Sequence, residues 1–211
     1  MLIEKEIEYL NQILLKMADH VEFNISEAFK AYVNCDKSIY VNDDIIDQYE
    51  RLIEEVCLDI LLKEKLYAKD LRKVTGILRM VADLERIGDH AEDIIEYNQK
   101  TNYNKNDFLE SFQETVSVAL SMVIDSILSF VNEDYNLAKD VINRDEIVDG
   151  KYSEWIEYIA KLDQENIIDS KLAIYTTIMV KYIERIADHA VNIAEWAVYM
   201  INGYYKDKQI F

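Results

Sequence analysis

The heptapeptide Glu85-Arg86-Ile87-Gly88-Asp89-His90-Ala91 recurs as Glu184-Arg185-Ile186-Ala187-Asp188-His189-Ala190, with six of seven positions identical and an offset of 99 residues. Before each copy lies one of a second pair of related segments, Asp43-Asp44-Ile45-Ile46-Asp47 and Asp145-Glu146-Ile147-Val148-Asp149, at an offset of 102. Similarity at a nearly constant offset indicates an internal repeat. We therefore predict that the chain contains two copies of one structural unit.

Both copies consist of segments in which apolar residues recur in steps of three and four, the period of an amphipathic helix. The predicted helices run from about 2 to 33, 39 to 62, 70 to 97, 108 to 130, 136 to 162 and 170 to 201, with Asp70 as the N-cap of the third. The polar stretch from Asn98 to Asp107 is a predicted connector. We expect an all-α fold with no β-sheet: two tandem three-helix bundles related by internal duplication, in residues 1–100 and 107–211.

The composition excludes several classes of protein. The chain has no proline and only four glycines among 211 residues, whereas β-sandwiches and barrels need many turns built from these residues. A net charge of −18 argues against nucleic acid or anionic lipid as the main partner. No signal-peptide pattern and no uncharged apolar span of about 18 residues is found, so we expect a cytoplasmic protein that meets the membrane only through its partners.

Each copy carries two acidic pairs at positions i and i+4, which lie one turn apart on the same helix face. Two such helices side by side would present four carboxylates, a hard oxygen site suited to magnesium, calcium, manganese or iron. With 41 acidic residues in the chain, any single pair is more simply read as a solvated helix face. Repetition of the pairs in both copies favours a metal site. The candidate ligands are Asp43, Asp47, Glu85 and Asp89 in the first copy and Asp145, Asp149, Glu184 and Asp188 in the second.

The histidines exclude one alternative metal site. Ferritin-like di-iron bundles use a Glu-x-x-His motif, but the residues three positions before His20, His90 and His189 are all apolar. We expect His90 and His189 to pack or hydrogen-bond between helices. The sequence also lacks a glycine-rich phosphate loop, a Gly-x-Ser-x-Gly elbow and a His-Glu-x-x-His motif, so no catalytic residue is assigned.

Two tandem three-helix units, each with Asp-x-x-x-Asp on its second helix and Glu-Arg-Ile-(Gly/Ala)-Asp-His-Ala on its third, resemble the PhoU phosphate-uptake regulators over essentially the whole chain. In that family the corresponding acidic residues bind clusters of metal ions on the bundle surface. The resemblance thus implies that the eight carboxylates form two metal sites. Iron is the first expectation, and manganese, magnesium, zinc or calcium are further ones.

The resemblance also includes a departure between the two copies. Asn192 and Glu195 continue the family-like run after the second motif, whereas Asp93 stands at the position of Asn192 in the first copy. This difference predicts that the two metal sites are unequal.

What the resemblance implies is a non-enzymatic regulator of phosphate uptake that holds down the phosphate-starvation response. It would dock onto the ATPase subunit of a phosphate ABC transporter and onto a sensor histidine kinase, and it would form a homodimer. One alternative is a PhoU-like accessory protein of a sodium-dependent or low-affinity phosphate transporter. The other is a metal-dependent hydrolase, which would need a nucleophile or general base beside an open metal position.

Overall fold

The computed structural model describes residues 2–63, 65–100, 109–206 and 208–209. Within them, six α-helices account for almost the whole chain. They are α1 (Leu2–Asn34), α2 (Asp44–Lys63), α3 (Ala68–Lys100), α4 (Leu109–Val131), α5 (Tyr135–Gln164) and α6 (Ser170–Asn202).

The helices form two three-helix units joined by one continuous core. Helices α1, α2 and α3 all contact one another, as do α4, α5 and α6, while α3 packs on α6 and α1 packs on α4 across the two units. The buried apolar side chains of all six helices belong to a single cluster. The predicted all-α architecture of two tandem three-helix bundles is confirmed.

The pattern of buried residues repeats between the two units. Every buried residue of α4 from Phe112 onward lies 98 positions after a buried residue of α1, and every buried residue of α2 lies 102 positions before one of α5. Most buried residues of α6 lie 99 positions after buried residues of α3. These offsets align the copies residue by residue, and they extend the duplication beyond the two motifs to the whole unit.

The first helix of each unit ends in the same way. Cys35 and Glu133, which are equivalent at the offset of 98, both adopt the left-handed backbone conformation, with φ of 53° and 54°. The following backbone N–H, of Asp36 or Asp134, donates to the carbonyl five residues earlier at 2.9 or 2.8 Å. Both helices therefore terminate in a Schellman turn without glycine.

Beyond these turns the two copies differ. The Asp134 carboxylate accepts the backbone N–H groups of Asn136 and Leu137 and starts α5 at once. The equivalent Asp36 instead accepts the backbone N–H and the hydroxyl of Ser38, at 2.8 and 2.7 Å, which favours a turn over a helix. Helix α2 consequently begins only at Asp44, and the prediction of a start near residue 39 is wrong.

Both ends of α3 also correct the sequence-based expectations. Helix α3 begins at Ala68, so Asp70 lies in its first turn and is not its N-cap. It also extends to Lys100 and takes in the start of the expected connector, because the buried Asn98 amide donates to the Asp36 carbonyl at 2.8 Å. Residues 101–107, where the predicted division into domains 1–100 and 107–211 falls, lie outside the described residues.

The expectation of no β-sheet is wrong at the C-terminal end. Strand β1 (Tyr204–Tyr205) pairs antiparallel with β2 (Lys208–Gln209) after Gly203 ends α6 in the left-handed conformation. The Tyr205 ring stacks on Trp196, with ring centroids 4.0 Å apart, which holds this short hairpin against α6.

Helix α4 is apolar enough to be compared with a membrane span. Its segment Phe112–Val131 has a mean hydropathy of 1.6, which by length and composition would allow it to cross a bilayer. Half of that segment is buried inside the protein, where α4 contacts α1, α5 and α6. The apolar character of α4 is therefore explained by its place in the core.

Candidate metal centres

The first acidic cluster lies where the start of α2 crosses the middle of α3. A Cβ atom at Gly88 would lie 2.8 Å from Cδ1 of Ile46, so the glycine allows the two helices to approach closely at this point. Ile46 is flanked by Asp43 and Asp47, and Gly88 is followed by Asp89. The close approach thus brings the two acidic pairs of the first copy together.

The electrostatics of the first cluster show that its four carboxylates interact. Partial burial and then the negative charge of Asp89 raise the pKa of Glu85, and Asp47 contributes in the same direction. Partial burial also raises the pKa of Asp89, against the opposing effect of Arg86 and with further contributions from Asp43 and Asp47. Asp43 itself precedes α2, and its carbonyl accepts the backbone N–H of Asp47 at 3.0 Å. It therefore starts the helix, which corrects its predicted place inside it.

Two glutamates that the sequence analysis did not single out belong to the same cluster. Partial burial is the main cause that raises the pKa of Glu92. The negative charge of Asp43 and a hydrogen bond between Glu92 and Asp43 raise it further. The pKa of Glu50 is raised by burial and by Glu54 and Asp47, and the charge of Glu50 in turn acts on Glu85. Both glutamates lie three positions after a predicted ligand, one turn further along the same helix face, and this spacing could have revealed them.

The second cluster lies between the middle of α5 and the middle of α6. Partial burial is the main cause that raises the pKa of Asp145 to about 6. The negative charges of four neighbours raise it further: Asp149, Asp188, Glu184 and Glu195. Partial burial and then the charge of Glu184 raise the pKa of Asp188, against Lys181. The structure therefore brings the four predicted carboxylates of the second copy together and adds Glu195.

The two clusters are unequal for a reason other than the predicted one. At the offsets of 102 and 99, the counterparts of Glu50 and Glu92 are Tyr152 and Val191, so the first cluster holds two carboxylates that the second lacks. Asp93 and Asn192, which were expected to cause the inequality, lie between the bundles.

Those two residues form complementary contacts across α3 and α6. The Asn192 amide donates to the Asp83 carboxylate at 3.1 Å, whereas Asp93 hydrogen-bonds to Tyr182. Asp83 and Tyr182 are themselves equivalent at the offset of 99. Where the second copy has the amide of Asn192, the first copy has the carboxylate of Asp93. Their partners change to match, from the carboxylate of Asp83 to the hydroxyl of Tyr182.

The histidines of the motif occupy the same interface, which confirms their predicted packing role. His189 Nδ1 lies 2.8 Å from Asp83 Oδ1, and His90 is buried against Tyr182 with ring centroids 5.1 Å apart. The two imidazole rings themselves are 5.8 Å apart. Burial lowers the pKa of His90, and the nearby His189 acts in the same direction.

The carboxylates of both clusters also make ion pairs with neighbouring side chains. Arg51 binds Asp47 at 2.8 Å, Arg86 binds Asp89 at 3.0 Å, and Lys181 binds Glu184 at 2.5 Å. With the side chains in these positions, no three His, Cys, Asp or Glu residues in the described part of the chain are arranged to hold one ion. A metal ion would have to displace at least some of these contacts.

The chemistry of the donor set nevertheless fits a hard cation. Partial burial raises the pKa of Glu85, Asp145 and Asp188, and neighbouring carboxylates act in the same direction, so a bound cation would relieve their mutual repulsion. In the second cluster, one carboxylate oxygen of Glu184, Oε2, is buried without a hydrogen-bond partner. Assignment of the eight carboxylates as metal ligands stays a prediction.

Comparison with known proteins gives one consistent family. The PhoU domain family matches the chain twice, at residues 14–97 and 112–197. The chain is 34% identical over 211 residues to an Aquifex aeolicus protein named phosphate-specific transport system accessory protein PhoU homolog, covering 94% of this chain and 92% of the relative. It is 29% identical over 206 residues to a Clostridium acetobutylicum protein of the same name, covering 95% and 94%.

Solved structures agree with the sequence comparison. The fold superposes on PhoU from Pseudomonas aeruginosa with a TM-score of 0.86 and 29% identity, covering 95% of this chain and 99% of that one. It superposes on the phosphate transport system regulatory protein PhoU from Streptococcus pneumoniae with a TM-score of 0.88 and 26% identity, covering 98% and 100%.

Proposed function

Because the chain belongs to the PhoU family, we propose that it is a cytoplasmic accessory regulator of phosphate uptake that restrains the phosphate-starvation response. The observation that carries this proposal is the match of the PhoU domain to both repeats, residues 14–97 and 112–197. Relatives that align along nearly their full length are named accessory proteins of phosphate-specific transport systems.

The protein would act by docking, as a homodimer, onto the ATPase subunit of a phosphate ABC transporter and onto the sensor histidine kinase of the phosphate response. Its net charge of −18 favours basic surfaces on both partners. Electrostatic complementarity of this kind mainly raises the association rate and sets specificity. Binding should therefore weaken as the salt concentration rises.

The two acidic clusters would hold metal ions, with iron first and manganese, magnesium, zinc or calcium as alternatives. Bound cations supply positive charge at the protein surface, and emptying the clusters would change the field that a docking partner meets. The chain's own contribution is to hold the carboxylates close together on α2 with α3 and on α5 with α6.

Deletion of the gene tests the regulatory role. In phosphate-rich medium, the deletion strain should express alkaline phosphatase, and a plasmid copy of the gene should restore repression. If expression stays normal but sodium-dependent phosphate uptake changes, the partner is a sodium-driven transporter. Normal expression together with normal uptake would reject the proposed function altogether.

Paired substitutions test the metal sites independently of the biological role. Glu184→Gln with Asp188→Asn should abolish manganese or iron binding at one cluster only, as measured by calorimetry and elemental analysis. The exposed Glu154→Gln is a matched control, since this glutamate pairs with Lys151 outside the clusters. Equal metal content in the double variant and the wild type would identify the clusters as solvated acidic faces.

A further inference from the structure

A hollow of about 80 Å³ opens between α4 and α5, on a side of α5 different from the one that carries the second acidic cluster. Such a space is larger than the ~10–15 Å³ that one water molecule needs. It can accept part of a larger side chain. Its lining residues are Glu114, Thr115, Val118, Ile147, Val148 and Lys151.

The internal repeat explains why this hollow exists. The residues equivalent to Val118 and Lys151 in the first copy are His20 and Tyr49, whose rings contact each other with centroids 5.6 Å apart. These two rings bridge α1 and α2 at the corresponding place. In the second copy, a valine and a lysine stand where the ring pair would be, and the space between the helices stays open.

The hollow is apolar on one side and accessible from outside. Ile147 is 51% exposed, although it stands beside the buried Val148 on α5. A single exposed isoleucine is ordinary on a protein surface. Here, however, it lines a concave space together with Val118, and a concave apolar surface is where an anchoring side chain of a partner gains the most contact.

The charge around the hollow selects the kind of partner. Glu114 is exposed in its lining, and the one cation among its lining residues, Lys151, is paired with Glu154 at 3.5 Å. The charges of Glu114 and Glu154, together with the net charge of −18 of the chain, therefore favour a positively charged segment at the hollow. Lysine or arginine side chains on either side of its apolar anchor would match these negative charges.

We propose that the hollow between α4 and α5 is a docking pocket for one aliphatic side chain carried on a basic segment of a protein partner. The presence of such a partner rests on the proposed function, whereas the pocket and its selectivity rest on the geometry of the second copy. The two repeats thus differ at this surface, and a partner that uses the pocket docks onto the second repeat.

A short peptide tests the pocket without any assumption about phosphate regulation. The peptide acetyl-Lys-Lys-Leu-Lys-Lys-amide is titrated into the full chain, and the methyl NMR signals of Val118, Ile147 and Val148 are followed. These signals should shift with saturation, and a peptide with alanine in place of leucine should shift them far less. Equal shifts from both peptides, or shifts spread over the acidic surface with none at these methyl groups, would overturn the proposal.

Substitutions then test the pocket on the purified transporter ATPase and kinase sensory module. Ile147→Ser should weaken binding about tenfold, the change expected when one aliphatic anchor loses its apolar contact. Its matched control is Ile45→Ser, which changes the equivalent and similarly exposed isoleucine of the first copy and should leave the affinity within about twofold. Equal losses in both variants would reject the pocket.

A second variant fills the pocket with additional side-chain atoms, whereas Ile147→Ser removes atoms from it. Val118→His with Lys151→Tyr copies the ring pair of the first repeat and should also weaken binding of both the partner and the leucine peptide. If the wild-type protein binds neither the ATPase nor the kinase, the proposed docking function fails, and the peptide titration alone decides whether the pocket exists.

Discussion

Replacement of Gly88 by alanine should destabilise the protein unless Ile46 is shortened at the same time. The added Cβ would lie 2.8 Å from Cδ1 and 3.3 Å from Cγ2 of Ile46, so the first contact must be relieved by movement. Overpacking of this kind costs about 1–3 kcal/mol, while alanine gains about 1 kcal/mol of helix propensity over glycine. We expect a net loss of about 1 kcal/mol in the free energy of unfolding.

The compensating change is Ile46→Val, which deletes the Cδ1 atom that makes the close contact. On its own it should cost about 0.5–1.5 kcal/mol, because it removes one buried methyl group. In the double variant the clash is absent and the helix propensity is kept, so the stability should return to that of the wild type. Additive behaviour would give a loss of about 2 kcal/mol, and the coupling energy is therefore about 2 kcal/mol.

Urea unfolding followed by circular dichroism at 222 nm measures the free energy of unfolding of the wild type, the two single variants and the double variant. Thermal unfolding provides a second measurement. For a chain of this length, 1 kcal/mol corresponds to roughly 2–4 °C in Tm. The second copy already contains the compensated pair, since Ala187 and Val148 stand at the positions of Gly88 and Ile46. A double variant that loses as much stability as the two single variants together would refute the reasoning.

Three further predictions concern groups whose partners the structure identifies. The pKa of Asp145 is raised to about 6, so the folded state binds this proton more tightly than the unfolded state does. The free energy of unfolding of the metal-free protein should therefore fall as the pH rises from about 4 to 6. Asp145→Asn should remove this pH dependence in urea titrations at several pH values. Asp134→Ala should cost about 1 kcal/mol by removing the N-cap of α5, whereas Asp36→Ala, at the equivalent position, should cost less in the same assay because it caps no helix. Asp83→Ala should lower the free energy of unfolding by about 1–3 kcal/mol, since His189 loses its partner across the bundles, and Asp83→Asn should recover part of that loss in thermal unfolding.

The sequence predicted the helices and the duplication well because both depend on local patterns. Apolar periodicity reports the buried face of each helix, and the offsets of 99 and 102 already align most of the two units. The start of α2 could not be predicted in this way. Asp36 and Asp134 are the same residue at equivalent positions, yet one bonds to Ser38 in a turn and the other caps a helix.

The candidate site was predictable only in part. The four carboxylates of each copy were assigned from their i, i+4 spacing, and the structure brings each set together. Glu50 and Glu92 follow predicted ligands by three positions, and Glu195 continues the second motif. Among 41 acidic residues, however, the helix faces that meet determine which ones join a cluster, and spacing alone does not select them. The role of Asp93 was misjudged for the same reason, because the pattern places it beside the motif while the packing of α3 on α6 turns it toward Tyr182.

The exchange of partners between the bundles also determines which halves can pair. If two copies of the first half met through the α3 surface in the same geometry, Asp93 of one would face Asp83 of the other, and two carboxylates would share a site built for one. Pairing of the first half with the second replaces that repulsion with Asp93 against Tyr182 and Asp83 against Asn192. Because of these four positions the two halves are no longer interchangeable: the first half repels a copy of itself, and the second half is the complement that its α3 surface accepts.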